Sequence, residues 1–259
     1  MSAAGEKTLL MVNNVTLRYQ VRQRTVTATE GASFRVGQGE RVVLLGPSGC
    51  GKSTLLKAVG GYLKPSEGSI TLSGRLIDRP GPDRVMVFQE FDQLLPWKNV
   101  RDNVAFGLIA SRTLPNREAL ARADEALRTV HLEKCAESYP HTLSGGMKQR
   151  VAIARCLAMK PDIILMDEPF AALDALSRRR MQDELLELWD SSRFTMLFVT
   201  HSIEEALLLG DRIVVMSPHP GRVEEILESD HINSATAANP ELVERIQRIL
   251  FRGAPEYTI

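Results

Sequence analysis

Glycines, a lysine and hydroxyl side chains follow one another closely at residues 46–54, which read Gly-Pro-Ser-Gly-Cys-Gly-Lys-Ser-Thr. A short apolar run at residues 42–45 leads into this stretch, and a helix-compatible segment, residues 55–59, follows it. Glycines let a backbone curl tightly enough for successive N–H groups to point inward, and the N-terminus of a following helix reinforces the resulting anion nest. The stretch therefore predicts a phosphate-binding loop between a buried strand and a helix.

The last part of this loop carries the side chains that would act on a nucleotide. Lys52 supplies a positive charge for the β- and γ-phosphates, and Ser53 offers a hydroxyl to Mg²⁺, which prefers oxygen ligands. A glycine-rich turn without a ligand would explain the glycines but not a Lys-Ser pair at this offset. We therefore expect nucleotide contacts from the whole stretch: Gly46, Pro47, Ser48, Gly49, Cys50, Gly51, Lys52, Ser53 and Thr54.

Two adjacent carboxylates end a second apolar run, at residues 163–166. Asp167, at the tip of this strand, can orient the Mg²⁺ shell, and Glu168 is placed to polarise a water for in-line attack on the γ-phosphate. An acidic strand end without any chemistry is the simpler interpretation. The phosphate loop upstream makes it the weaker one.

Residues 143–150 form a third motif, Leu-Ser-Gly-Gly-Met-Lys-Gln-Arg, which opens a predicted helix continuing to Arg155. Ser144, Gly145 and Gly146 at a helix N-terminus make a second phosphate-binding surface. One nucleotide with one phosphate loop hardly needs two such surfaces from the same chain.

With this motif the chain closely resembles the ATP-binding subunits of ABC transporters, whose Leu-Ser-Gly-Gly signature occurs intact at residues 143–146. The resemblance extends over nearly the whole length. It implies that the signature of one subunit closes over the phosphate loop of a second copy, so that two ATP molecules lie at a head-to-tail homodimer interface.

The resemblance also implies roles for further residues. Tyr19 resembles the aromatic residue that stacks on adenine, although an ordinary strand tyrosine is an open alternative. Gln89 resembles the glutamine that reaches Mg²⁺ or the attacking water, residues 172–174 the loop that contacts the partner subunit, and His201 the histidine that touches the γ-phosphate. The implied catalytic residues are Glu168, His201 and Gln89, and the implied metal ligands are Ser53, Gln89 and Asp167.

Composition sets broad limits on the function. The chain has 259 residues, 44% of them apolar, and its 32 basic side chains balance 32 acidic ones, so no net charge favours nucleic acid. Three scattered cysteines fit a reducing compartment, and Cys50, inside the phosphate loop, is a candidate for oxidation. The first residues lack a secretory signal core, and no apolar run is long enough for a membrane span. We expect a soluble cytoplasmic chain without a nucleic-acid partner.

The hydrophobic pattern predicts an α/β fold. Alternation over residues 9–36 indicates an antiparallel hairpin, helical spacing over 99–130 indicates a helical insert, and apolar strands alternate with helices beyond Pro161, including strands 195–200 and 212–216 and helices 203–209 and 240–250. Ser202 and Glu205 have the spacing of a capping box at the start of helix 203–209, with Ser202 accepting the Glu205 amide and the Glu205 side chain reaching back. We expect a P-loop NTPase core with a mostly parallel sheet, an N-terminal antiparallel β subdomain and an inserted α-helical subdomain. The predicted ABC domain covers residues 1–228, with the helical subdomain at about 90–160, and a C-terminal extension with an amphipathic helix covers 229–259.

Two segments, residues 88–100 and 218–222, are similar to those of the nitrate/sulfonate/taurine importer group. This resemblance implies an importer of a small anion, at the cytoplasmic face of the inner membrane, with separate permease subunits and an extracytoplasmic binding protein. The apolar cluster at residues 94–97 is either a permease docking site or a hydrophobic plug beneath the helical insert.

Two alternative classes remain open. An exporter or lipid-transport ATPase would share the ATP chemistry. A soluble non-transport ABC ATPase, such as a DNA-repair protein, is disfavoured because no long coiled-coil or zinc insert separates Lys52 from Ser144. The transported substrate is not encoded in motifs of the ATPase chain.

Overall fold

The structure is a computed structural model that describes residues 8–21, 24–89, 93–228 and 240–250. Its internal contacts divide these residues into two units, one comprising the chain up to Pro80 and from Thr195 onward, the other Gly81–Phe194. The first unit begins with β1 (Thr8–Val21), β2 (Arg24–Gly37), β3 (Arg41–Leu45), α1 (Lys52–Val59), β4 (Glu67–Leu72) and β5 (Arg75–Leu76).

The second unit holds most of the helices. Its elements are β6 (Arg84–Val87), α2 (Val100–Ala110), α3 (Asn116–Thr129), α4 (Gly145–Met159), β7 (Ile163–Asp167) and α5 (Ala175–Ser192). The chain then returns to the first unit with β8 (Thr195–Thr200), α6 (Ile203–Leu209), β9 (Arg212–Met216), β10 (Val223–Leu227) and α7 (Pro240–Leu250).

Four strands of the first unit form an antiparallel sheet in the order β2-β1-β4-β5. The β1–β2 pair is the predicted hairpin, and its buried side chains include Val12, Val15 and Leu17. Residues 22 and 23, where this hairpin would turn, lie outside the described residues.

The phosphate loop follows a strand that is buried on both faces. Within the first unit β3 pairs in parallel with β8 on one side and with β9 on the other, and β10 pairs antiparallel with β9. The side chains of Val42, Val43, Leu44 and Leu45 are all 0% exposed, as a continuous apolar run in a covered parallel sheet predicts. A bidentate pair from Arg41 to Asp211 joins the starts of β3 and β9, with Nη2 2.6 Å from Oδ1.

In the second unit β6 and β7 pair in parallel, and α2, α3 and α4 pack against one another. Two helices of this unit, α2 and α5, begin with a side-chain cap. Asn99 accepts the Asp102 amide at the start of α2, and Asp174 accepts the amides of Leu176 and Ser177 at the start of α5.

The expected α/β class, with an antiparallel sheet and mostly parallel strands that alternate with helices, is confirmed. The bounds predicted for β8, α6, β9 and α7 coincide with those in the structure, whereas the short strands β5 and β10 were not predicted. The apolar face of α7, formed by Leu242, Ile246 and Leu250, is buried, and the helix packs on β9. The predicted domain limits stay a prediction, and residues 229–239 and 251–259 lie outside the described part.

Candidate nucleotide-binding site

The phosphate loop lies between β3 and α1, as predicted. Gly49 and Gly51 have φ angles of 80° and 98°, in the left-handed region that favours glycine. Gly51 also caps α1, and its carbonyl oxygen accepts the Leu55 amide at 2.8 Å. No acidic residue occupies the first turn of α1, so the positive end of the helix dipole is not neutralised there. The loop therefore has the backbone conformation and the polarity that an anion requires.

Lys52, the first residue of α1, is folded against its own loop. Its side chain is buried, with the residue 3% exposed, and Nζ donates to the carbonyl oxygens of Gly46 at 2.7 Å and Pro47 at 2.9 Å. An ammonium has three donors, and here carbonyl oxygens occupy two of them. These contacts hold a full positive charge at the centre of the loop, where the sequence predicted it.

Cys50 also lies in the loop and is 0% exposed. Desolvation by burial raises the pKa of its thiol, and the nearby charge of Lys52 offsets this only in part. The thiolate is the reactive form of cysteine, so a raised pKa disfavours the oxidation considered from the sequence.

Two elements that sequence reasoning had not assigned to the site lie against this loop. Thr29 of β2 is 0% exposed and its hydroxyl donates to the Gly51 carbonyl at 3.4 Å. A side chain at Gly221 would overlap the carbonyl oxygen of Cys50. No sequence signal linked Thr29 to the loop, and the Gly221 segment had been noted only for its similarity to importer ATPases.

The first unit also carries Tyr19 and His201. Tyr19 lies in β1 opposite Val26 and is 47% exposed, so its ring has free surface for stacking. His201 is exposed and directly follows β8, before the N-cap of α6. Both roles stay predictions.

Hydrogen bonds fix the turn that presents His201. Ser202 accepts the Glu205 amide at 3.2 Å, which is half of the predicted capping box. In the other half, the Glu205 carboxylate was predicted to accept the Ser202 amide directly. The Thr200 hydroxyl lies between the two groups: it accepts the Ser202 amide at 3.0 Å and donates to the Glu205 carboxylate at 2.5 Å. Hydrogen bonds thus hold the residues on both sides of His201, Thr200 and Ser202.

In the second unit the two predicted carboxylates end β7. Asp167 is the last residue of the strand and is 6% exposed, and Glu168 is half-buried. Glu168 has a φ of 41°, in the left-handed region. This conformation is uncommon for a residue with a side chain, and such residues cluster at functional sites. The backbone at Glu168 is therefore strained at the residue predicted to act as the general base.

The segment around Gln89 is held by a residue that sequence reasoning missed. The Gln93 side chain accepts the Phe88 amide at 3.2 Å and donates to the Phe88 carbonyl at 3.0 Å. Gln89 itself is exposed, and residues 90–92 of the importer-like segment lie outside the described part. A glutamine four residues after Gln89 carries no local sequence signal for its contact with Phe88, because only the folded chain brings the two residues together.

The signature residues and the predicted partner-contact loop share one concave surface of the second unit. Ser144 caps α4 by accepting the Met147 amide at 3.3 Å, and Gly145 and Gly146 form the first turn. A pocket of about 470 Å³ is lined by these three residues, by residues 172–174 and by Arg150 and Arg180. Hydrogen bonds from Ser177 lower the pKa of Asp174, which keeps its carboxylate charged at this pocket.

A model of the ABC transporter family matches residues 29–171 of the chain, which include the phosphate loop, the signature and both β7 carboxylates. The chain belongs to the ABC transporter family. Its relatives include the taurine import ATP-binding protein TauB of Rhizobium johnstonii, 52% identical over 225 residues, 86% of this chain and 85% of that protein. Another is the nitrate import ATP-binding protein NrtD of Synechococcus elongatus, 47% identical over 203 residues, 78% of this chain and 74% of that protein.

Solved structures of the family share the fold. One is a dimeric ATP-binding cassette in a post-hydrolysis state bound to ADP and Pi, 33% identical, with a TM-score of 0.73, covering 85% of this chain and 99% of that chain. Together with the intact nucleotide motifs, this family membership makes the chain an ABC-type ATPase. None of the helices in the described residues combines the length and apolar character needed to cross a membrane.

The three residues predicted from the sequence as Mg²⁺ ligands all carry oxygen donors, and their roles as ligands stay predictions. Ser53, Gln89 and Asp167 offer hydroxyl, amide and carboxylate oxygens, the ligand class that Mg²⁺ prefers. The described residues contain no group of three or more His, Cys, Asp or Glu side chains that could hold a metal alone. Mg²⁺ here would depend on nucleotide phosphates and water for its other ligands, as it commonly does.

Proposed function

We propose that this chain is the ATP-hydrolysing subunit of a bacterial ABC importer for a small anion. The observation that carries the proposal is the presence, in one chain, of a phosphate loop centred on buried Lys52 and a separate signature surface that lines its own pocket. A single nucleotide needs one of these surfaces from each of two copies. Relatives named as import ATP-binding proteins for taurine and nitrate support the direction of transport and the class of substrate.

In the proposed reaction the backbone amides of the loop and Lys52 hold the β- and γ-phosphates. Mg²⁺, when bound, would neutralise developing charge on the phosphate oxygens. Glu168 accepts a proton from the attacking water, whose oxygen forms the new bond to the γ-phosphorus as the bond to ADP breaks. His201 donates a hydrogen bond to the γ-phosphate, and Gln89 orients the water or the metal. Tyr19 stacks on adenine.

The proposed functional state is a head-to-tail homodimer. Ser144, Gly145 and Gly146 of one copy would contact the γ-phosphate bound by the loop of the other, and residues 172–174 would contact the partner. The exposed Ser144 and the charged Asp174 at one pocket support this arrangement. ATP that binds only the closed pair shifts the equilibrium toward it.

The proposed permease contact is the apolar cluster at residues 94–97. Trp97 is 72% exposed, whereas Leu94 is 4% exposed and serves as the anchor of the loop. Asn103, fully buried, holds the loop in shape: its Oδ1 accepts the Leu95 amide at 2.7 Å and its Nδ2 donates to the Leu95 carbonyl at 3.1 Å. A rigid loop with an exposed aromatic tip is typical of a partner site.

The remaining partners are proposed from the importer relatives. The subunit would lie at the cytoplasmic face of the inner membrane on separate permease chains, and an extracytoplasmic protein would deliver the anion. Taurine and nitrate share a small size and an anionic oxygen-bearing group, and this shared chemistry defines the proposed class of substrate.

Reconstitution of the chain in vesicles with its permease and a candidate anion-binding protein tests the proposal. We expect ATP hydrolysis that depends on Mg²⁺, is stimulated by the loaded binding protein, and accompanies uptake of labelled taurine, nitrate or a related anion. ATP-driven movement in the opposite direction would establish an exporter instead. Absence of ATP hydrolysis by the complete complex would contradict the proposed function.

A further inference from the structure

A short turn outside the nucleotide motifs, residues 217–222, lies directly behind the phosphate loop. The closest approach is at Gly221, where an added methyl group would overlap the carbonyl oxygen of Cys50 and lie 2.9 Å from Cε of Met216. The φ angle of Gly221 is not among the positive ones, so space and not backbone conformation explains the glycine. The absence of a side chain at Gly221 lets the Cys50 carbonyl pack against the turn.

Hydrogen bonds fix this turn to β2 and within itself. Gly221 donates to the Ala28 carbonyl at 3.0 Å and accepts the Glu30 amide at 2.9 Å. The Ser217 hydroxyl accepts the Arg222 amide at 2.9 Å, and Arg222 pairs with Glu30 at 2.8 Å. These bonds hold Gly221 in place beside the loop. We call the turn, together with the adjoining residues 28–30 of β2, the wall.

Strand β2 contributes the second contact of the wall. Thr29, with no exposed surface, donates its hydroxyl to the Gly51 carbonyl at 3.4 Å. A side chain at Gly51 would overlap the Ala28 carbonyl oxygen and lie 2.7 Å from the Thr29 hydroxyl. Two successive carbonyls of the loop, those of Cys50 and Gly51, thus contact residues outside the motif, and the Gly51 carbonyl also accepts the Leu55 amide of α1 at 2.8 Å.

Because the peptide bond is planar, contacts that fix a carbonyl also fix the direction of the next residue's N–H group. In a trans peptide the C=O of one residue and the N–H of the next point in opposite directions. Holding the Cys50 carbonyl against Gly221 directs the Gly51 amide away from the wall, and holding the Gly51 carbonyl at Thr29 does the same for the Lys52 amide. Amides aligned in this way form the anion nest of a phosphate loop.

We propose that Gly221 and Thr29 are positioning residues that align the Gly51 and Lys52 amides for the nucleotide phosphates. The inference rests on the proposed ATPase function and deepens it, because it adds specific residues behind the loop to those within it. Neither residue touches the nucleotide; each acts through a carbonyl of the loop.

Gly221→Ala tests the inference in the full-length chain. The methyl group would push the Cys50–Gly51 peptide out of place, and we expect the KM for Mg-ATP to rise by about tenfold or more, since a displacement of about 1 Å at a binding group can cost about a hundredfold. The matched control is Gly210→Ala in the same unit, where the methyl would lie 2.9 Å from the Ala206 carbonyl and 3.0 Å from the Val43 side chain of β3, and where the nearest atoms belong to no residue of the loop. The control should lower the melting temperature without raising the KM.

A milder pair of variants decides the question if Gly221→Ala does not fold. Thr29→Val keeps the shape and removes the hydroxyl, so the KM for Mg-ATP should rise by about threefold to tenfold, the range of a lost buried hydrogen bond. Thr29→Ser keeps the hydroxyl and should retain the wild-type KM.

A wild-type KM in both Gly221→Ala and Thr29→Val, or an equal rise in Gly210→Ala, would overturn the inference. A wild-type chain that neither binds nor hydrolyses ATP would instead contradict the proposed function.

Discussion

The Arg155 guanidinium donates to both oxygens of Gln93, to the main-chain carbonyl at 2.8 Å and to the side-chain Oε1 at 3.3 Å. Arg155 belongs to α4, the helix that the signature opens, and Gln93 bonds to the main chain of Phe88, the residue before Gln89. The signature helix and the segment that carries Gln89 are therefore joined by a charged, two-point contact within one unit.

Breaking this contact should weaken coupling without affecting nucleotide binding. In Arg155→Leu we expect the stimulation of ATP hydrolysis by the permease to fall, because α4 and the Gln89 segment would no longer move together. The free energy of unfolding should drop by about 1.5 kcal/mol or more, as for a hydrogen bond to a charged group. Urea unfolding and ATPase assays with and without permease measure both effects, and normal stimulation would contradict the link.

Glu168→Gln should bind ATP and hydrolyse it very slowly. The amide keeps the shape of the side chain but lacks a basic oxygen, and we expect steady-state hydrolysis to fall by roughly 10²- to 10⁴-fold. Glu187→Gln, an exposed glutamate in α5, is the matched control and should keep full activity. If the Glu168 variant hydrolyses ATP at the control rate, another group is the base.

Lys52→Ala should weaken ATP binding, because it removes the charge that Gly46 and Pro47 hold at the centre of the loop. A charged hydrogen bond of about 1.5–3 kcal/mol corresponds to roughly a tenfold to hundredfold loss of affinity. Isothermal titration with Mg-ATP measures the effect. The exposed Lys57 of the same helix supplies the control, Lys57→Ala, and equal affinities of the two variants would argue against a phosphate contact by Lys52.

ATP should bring two copies of the chain together when hydrolysis is blocked. We expect the Glu168→Gln variant to be a monomer alone and a dimer with Mg-ATP, because each nucleotide would bridge Lys52 of one copy and Ser144 of the other. Light scattering with ATP, with ADP and without nucleotide follows the change in mass. A monomer at saturating ATP would exclude the shared site.

The two tryptophans of the chain offer a test of the docking site. Trp97 is 72% exposed, whereas Trp189 is 6% exposed and donates to the Phe194 carbonyl at 2.9 Å. Trp97→Ala should leave the melting temperature and ATP binding unchanged while permease-stimulated hydrolysis and transport fall. Trp189→Ala should lower the melting temperature, because large buried side chains cost about 3–5 kcal/mol when truncated.

The outcome for Trp97 separates the two interpretations of the cluster. A plug beneath the helical insert would make Trp97→Ala melt early and lose every activity together. Wild-type transport and coupled hydrolysis in this variant would also refute docking.

Local patterns in the sequence were enough for most of the fold and for the motif residues. The apolar run at residues 42–45 predicts a covered strand because every side chain must be buried, and the Ser202–Glu205 spacing predicts the start of α6. The short strands β5 and β10 were not predicted, because segments of two to five residues without apolar alternation resemble loops in sequence.

Residues that support the site from a distance could not be found in this way. Thr29 and Gly51 are 22 positions apart and Gln93 and Arg155 are 62 apart, so only the completed fold brings each pair together. The left-handed backbone of Glu168 was also unpredictable, because glutamate has no preference for that region.

At Glu168 the left-handed backbone conformation lowers stability, whereas the side chain is proposed to be needed for activity. A left-handed residue with a side chain costs roughly 1–2 kcal/mol that glycine would not incur, yet glycine at 168 would delete the carboxylate. Selection of this chain for heat resistance alone would therefore favour the loss of its proposed catalytic base, and a thermostable homologue that keeps this base must obtain its extra stability elsewhere.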